Sequence, residues 1–101
     1  MTKKTILRLA GCISLALPGI AGAADMHTQV IAATCMACHG PGGKSLDEII
    51  PSLAGMKQDK FVKLMREFAS GEREASIMKR HAAGYTDAEF EAMAAYFASL
   101  K

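Results

Sequence analysis

Ala33-Thr34-Cys35-Met36-Ala37-Cys38-His39-Gly40 holds two thiols three positions apart, with an imidazole directly after the second. On a helix that spacing sets the thiols about one turn apart. Two thiols so placed reach the two vinyl groups of one porphyrin, and the next residue's imidazole comes to lie under the iron; Cys-x-x-Cys-His is the attachment signature of c-type haem. A thioredoxin-like dithiol would need a strand–helix–strand setting that the sequence lacks. A zinc site would need Cys35, Cys38, His39 and the distant His81, with no second Cys-x-x-Cys or His pair to support it.

Upstream, Met1 to Ala24 reads as a cleaved secretory signal. Lys3 and Lys4 open it, an apolar run follows from Leu9 to Leu17, Pro18-Gly19 breaks the run, and Ala21-Gly22-Ala23-Ala24 offers small residues for cleavage after Ala23 or Ala24. A lipidated Cys12 is the rival reading, which Arg8 spoils by interrupting the apolar stretch before it. No twin-Arg pair is present, so export unfolded and cofactor insertion outside the cytoplasm are expected. The apolar run is too short to span a bilayer and no later stretch replaces it, so no membrane span is expected.

What remains, residues 25–101, is a single small domain that a hydrophobic core alone barely stabilises. The two remaining cysteines are too close in sequence to staple distant segments, and a covalently held macrocycle fills that need by giving the chain a large apolar body to wrap. Nine Lys and Arg then stand against ten Asp and Glu, a near-neutral balance without the basic stripe that nucleic acid requires.

Downstream, the pattern is all helical, with no sustained period-2 alternation and no Asn-Gly or Asp-Gly hairpin. A first helix is expected over about Met26 to Met36, stopped by Gly40-Pro41-Gly42-Gly43, with a long loop to Met56. Asp59 is the expected N-cap of a second helix that places Phe61, Leu64, Met65 and Phe68 on one face and ends at Gly71. A short helical piece around Ala75 to Ala82 closes at Gly84. The last helix, to about Leu100, starts at Thr86 with Glu89 as a capping box and Tyr85 with Phe90 as a hydrophobic staple. Its stripe is Phe90, Met93, Ala94, Phe97 and Leu100.

A thioether opposite the histidine raises the reduction potential of such an iron. Met65 and Met93 belong to apolar stripes, Met36 lies inside the attachment loop and Met26 precedes it by too little chain. Met78 has the best position, past the second helix where the chain can return over the distal face; Met56, and His81 as a second imidazole, remain open.

The chain resembles the small class I cytochromes c over nearly all of residues 26–100. That resemblance implies three or four helices wrapped around one covalent haem. It also implies that Pro51, twelve residues after His39, offers its carbonyl to the proximal imidazole, and that Leu53 packs on the haem. Ser76-Ile77-Met78-Lys79-Arg80-His81-Ala82-Ala83-Gly84-Tyr85, Asp87-Ala88-Glu89-Phe90-Glu91-Ala92-Met93-Ala94-Ala95-Tyr96-Phe97 and Phe68-Ala69-Ser70-Gly71-Glu72 are similar to the cytochrome subunits of flavocytochrome c sulfide dehydrogenases. By that similarity Met78 is the sixth ligand. It also implies a periplasmic electron carrier with no catalytic pocket of its own, taking electrons from the flavin of an FAD-containing sulfide dehydrogenase subunit and passing them to a downstream acceptor. The best-known such subunits carry two haem domains, whereas one Cys-x-x-Cys-His here makes a one-haem version. The alternative is a freely diffusing class I cytochrome c serving another dehydrogenase or a terminal oxidase. With no net excess of charge to steer a partner, an apolar docking surface is expected among Met36, Ala37, Ile49, Ile50 and Ala82.

Overall fold

The computed structural model describes residues 24–101 and the isolated Gly11; the expected signal segment otherwise lies outside the described residues. Four helices follow in order: α1 (Met26–His39), α2 (Gln58–Ser70), α3 (Ile77–Ala83) and α4 (Asp87–Ser99), with one 3-10 turn at Pro41–Gly43 after α1. Among the described residues there is no strand, and no helix is long and apolar enough to cross a membrane.

α1 extends three residues beyond the expected Met36, so that both thiols and His39 stand on the helix itself. Asp25 caps its start by accepting from Thr28 N at 2.7 Å, and Thr28, through its side chain and then its N–H, holds the Asp25 carboxyl below its ordinary pKa. Gly40 stops it at φ +91°, and a side chain there would overlap the Lys44 carbonyl.

The start of α2 corrects the expected cap. Lys57, in extended conformation and without a side-chain bond, occupies the N-cap, and its carbonyl accepts from Phe61 N at 3.0 Å. Asp59 instead lies in the first turn, where the positive end of the helix dipole favours a carboxylate. Phe61 and Met65 are buried, with Leu64 and Phe68 half-buried on the same side. Gly71 closes the helix in the left-handed conformation, φ +83°.

α4 forms the centre. Thr86 and Glu89 make both bonds of the capping box, Glu89 N to Thr86 Oγ1 at 3.2 Å and Thr86 N to Glu89 Oε2 at 2.9 Å. Phe90, Met93, Ala94 and Phe97 are buried, and Leu100 is half-buried. Phe97 stacks on Phe61 of α2, with ring centroids 5.7 Å apart. Its carbonyl accepts from Gly55 N at 2.9 Å, which draws the loop before α2 onto the end of α4. α4 packs on α1 and α2, and α3 packs on α2, while α1 and α3 share no extensive interface. The helix bearing the two thiols and the helix bearing Met78 are therefore held by different neighbours.

Candidate haem site

The proximal side is assembled within a short stretch of chain. Gly43, at φ +76°, presents its carbonyl to both Leu53 N (2.7 Å) and Ala54 N (3.0 Å), which closes residues 44–52 into a loop with joined ends. Ser52 Oγ accepts from Ser45 N at 2.9 Å, and Asp47 Oδ1 accepts from Ile49 N and Ile50 N, so the loop is internally bonded as well. A Cβ at Gly43 would stand 3.0 Å from the Phe97 ring, so glycine lets the loop neck seat on the core.

That closure brings Pro51 O to 2.6 Å from Nδ1 of the buried His39. A carbonyl only accepts, so Nδ1 carries the proton and Nε2 keeps its lone pair, the tautomer that a metal-binding imidazole needs. Leu53 is buried next to this bond in sequence and belongs to the core cluster. Cys35 is half-buried, Cys38 is exposed, and neither is in a disulfide. Burial pushes the Cys35 thiol above its ordinary pKa, the opposite of the lowered value that a reactive dithiol uses. Among the described residues no three His, Cys, Asp or Glu come together to hold a metal ion. Two unpaired thiols one turn apart, followed by a fixed imidazole with a free Nε2, fit a porphyrin held by two thioethers with histidine on its iron.

The methionines are the candidates for a second iron ligand. Met65 and Met93 are buried in the core, while Met56 and Met78 are both half-buried at its edge. Met56 follows directly on the loop neck, its N–H donating to Leu53 O at 3.1 Å. Met78 is in the first turn of α3. His81 is exposed, as are Lys79 and Arg80, and the Lys79 ammonium lies over Gly71 at the carbonyl end of α2, where a cation suits the dipole.

Of the expected docking residues, Ala82 is corrected. It is 0% exposed, on the side of α3 that joins the core, and no partner can reach it. Met36 and Ile50 are half-buried, Ala37 is exposed and Ile49 is 88% exposed, with Leu46 equally exposed on the same loop.

Three contacts were invisible in the sequence. Tyr85 Oη lies 3.1 Å from Thr34 Oγ1, His27 Nε2 lies 3.1 Å from Glu89 Oε1, and Gly43 abuts Phe97. Each joins residues more than 50 positions apart, beyond the reach of any local pattern.

The family model for cytochrome c matches residues 24–101. The chain is 32% identical over 85 residues to the cytochrome subunit of sulfide dehydrogenase from Chlorobaculum tepidum, covering 84% of this chain and 76% of that one. It is 36% identical over 91 residues to cytochrome c4 from Pseudomonas aeruginosa, 88% of this chain but 45% of the relative. It is 37% identical over 71 residues to the thiosulfate dehydrogenase electron acceptor of Thiomonas intermedia, 69% of this chain and 33% of the relative. The chain thus spans most of the first relative and less than half of the other two. With four helices among the described residues, the first carrying Cys-x-x-Cys-His, and a family match across all four, the chain belongs to the cytochrome c family, whose covalently bound haem c serves electron transfer.

Proposed function

We propose that this is a periplasmic one-haem carrier, exported with loss of residues 1–24, in which Cys35 and Cys38 form the thioethers and His39 and Met78 are the axial ligands. The observation that carries the reading is the 2.6 Å bond between His39 Nδ1 and Pro51 O, because it prepares one imidazole nitrogen for iron directly beside two unpaired thiols. Haem c, when bound, supplies a single-electron ferric/ferrous couple. The residues supply the rest. Pro51 orients the proximal ring and raises its basicity, Leu53 gives apolar packing, and Met78 offers soft sulfur on the opposite side. The attachment of Met56 to the loop neck supports Met78 as the ligand from the other face.

As partner we propose the flavin-bearing subunit of a sulfide dehydrogenase, which the similarity to the Chlorobaculum tepidum subunit over 84% of the chain supports. The exposed Ile49, Leu46 and Ala37 supply apolar contact near the attachment helix. A diffusible carrier is the second reading, favoured by the similarity to a thiosulfate dehydrogenase electron acceptor and to cytochrome c4. Gel filtration of the native extract at low and moderately high salt separates them. Haem comigrating with a flavin-bearing protein at both salts supports the subunit, whereas haem eluting alone at the size of this chain at both salts supports the free carrier.

A further inference from the structure

We infer that Tyr85 is a positioning residue for the distal ligand, latching the Met78 segment to the helix that holds the two thiols. The inference rests on Met78 as sixth ligand and goes beyond it. α1 and α3 share no extensive interface, so the relative placement of His39 and Met78 depends on indirect connections. Tyr85, two residues past the end of α3, bridges that gap by its bond to Thr34, the residue directly before Cys35.

The direction of the bond follows from proton counting. Thr34 Oγ1 donates its only hydrogen to Ile31 O at 2.6 Å, so at 3.1 Å it accepts from the Tyr85 hydroxyl. Tyr85 is itself held on both sides. Its N–H and that of Gly84 turn back to Ala82 O (3.3 Å) and His81 O (3.1 Å) of α3, the capping box of α4 begins at the next residue, and its half-buried ring packs on the core. The corner is rigid, and the phenol carries that rigidity across to α1. The other end of α3 is weakly fastened: the helix has seven residues, and Ser76 at its N-cap makes no side-chain bond. Met78 sits in that first turn, so the C-terminal latch bears more of the positioning.

The test is displacement of the sixth ligand by imidazole in the ferric holoprotein, followed beside the near-infrared sulfur-to-iron band. Tyr85→Phe keeps the ring and removes the donor; displacement is expected to be about two- to fivefold faster, the range of one partly exposed hydrogen bond. Thr34→Val is expected to behave alike, Thr34→Ser to keep the wild-type rate, and Tyr85→Phe with Thr34→Val to be no faster than either alone. Wild-type rates in Tyr85→Phe, or Thr34→Ser as fast as Thr34→Val, overturn the latch, as does a lowered melting temperature with unchanged displacement. A near-infrared band that survives in Met78→Ala overturns the ligand assignment instead, which keeps the two failures apart.

Discussion

The two sides of the site are built differently. On the proximal side His39, Pro51 and Leu53 lie within 15 positions of sequence, joined by the Gly43 carbonyl, an internally bonded loop and the 2.6 Å imidazole bond. On the proposed distal side Met78 stands 39 positions from His39, on a seven-residue helix fastened to α2 and, at its far end, through Tyr85. Local hydrogen bonds define the first; tertiary packing and a single polar bridge define the second. Under the ligation proposed above, His39 is fixed by a direct hydrogen bond while Met78 depends on the packing of a seven-residue helix, so the bond to Met78 is expected to be the one that gives way first.

The comparison breaks most completely if the thiols are removed. Cys35→Ser with Cys38→Ser is expected to give a protein without covalent haem on a denaturing gel and with little helical circular dichroism, since both sides lose the body they enclose. Phe97→Ala comes next. Phe97 is fully buried, stacked on Phe61 and against Gly43, so its loss should cost about 3–5 kcal/mol in denaturant unfolding and weaken both sides together.

Met78→Ala sharpens the contrast by touching the distal side alone. The near-infrared band is expected to vanish and the reduced protein to bind carbon monoxide, while Met56→Ala keeps the band; the reverse result would move the ligand to Met56. Thr86→Ala removes the cap of α4 and should cost about 1 kcal/mol by thermal unfolding, with the band unchanged.

The smallest effect is that of pH. The Thr86 N–H and then His27 hold Glu89 below its ordinary pKa, so its contribution is present above the unfolded glutamate value and is lost as pH falls through the lower folded value. Stability measured from neutral pH downward should decline below about pH 4.3, and Glu89→Gln should flatten part of that decline.

The proximal half was legible because its determinants are local. Cys-x-x-Cys-His names its chemistry by spacing alone, whereas the return of Pro51 to His39 was expected only from the resemblance to class I cytochromes c. Helix α4 was legible for the same reason, its capping box and stripe being patterns of three and four residues. The cap of α2 was misjudged because Asp59 satisfies the composition rule for a cap and equally well the charge preference of a first turn; only the backbone of Lys57 separates the two. Ala82 was misread because a small apolar residue suits a core and a contact surface alike, and the orientation of a seven-residue helix is set by what it packs on. Tyr85, read only as part of a staple, had a second duty to Thr34 that no spacing encodes.

The loop neck at Gly43 has a consequence for engineering. Because one carbonyl gathers Leu53 and Ala54 at the base and Pro51 is bonded to His39, a length change between Leu46 and Ile49 gives up the Asp47 bonds to Ile49 N and Ile50 N but leaves the neck in place. Doubling such a span adds only about 0.6 kcal/mol of closure entropy. The tip is therefore the place to graft a tether for an electrode or an affinity handle, a few residues from Pro51 and outside the four helices of the described residues.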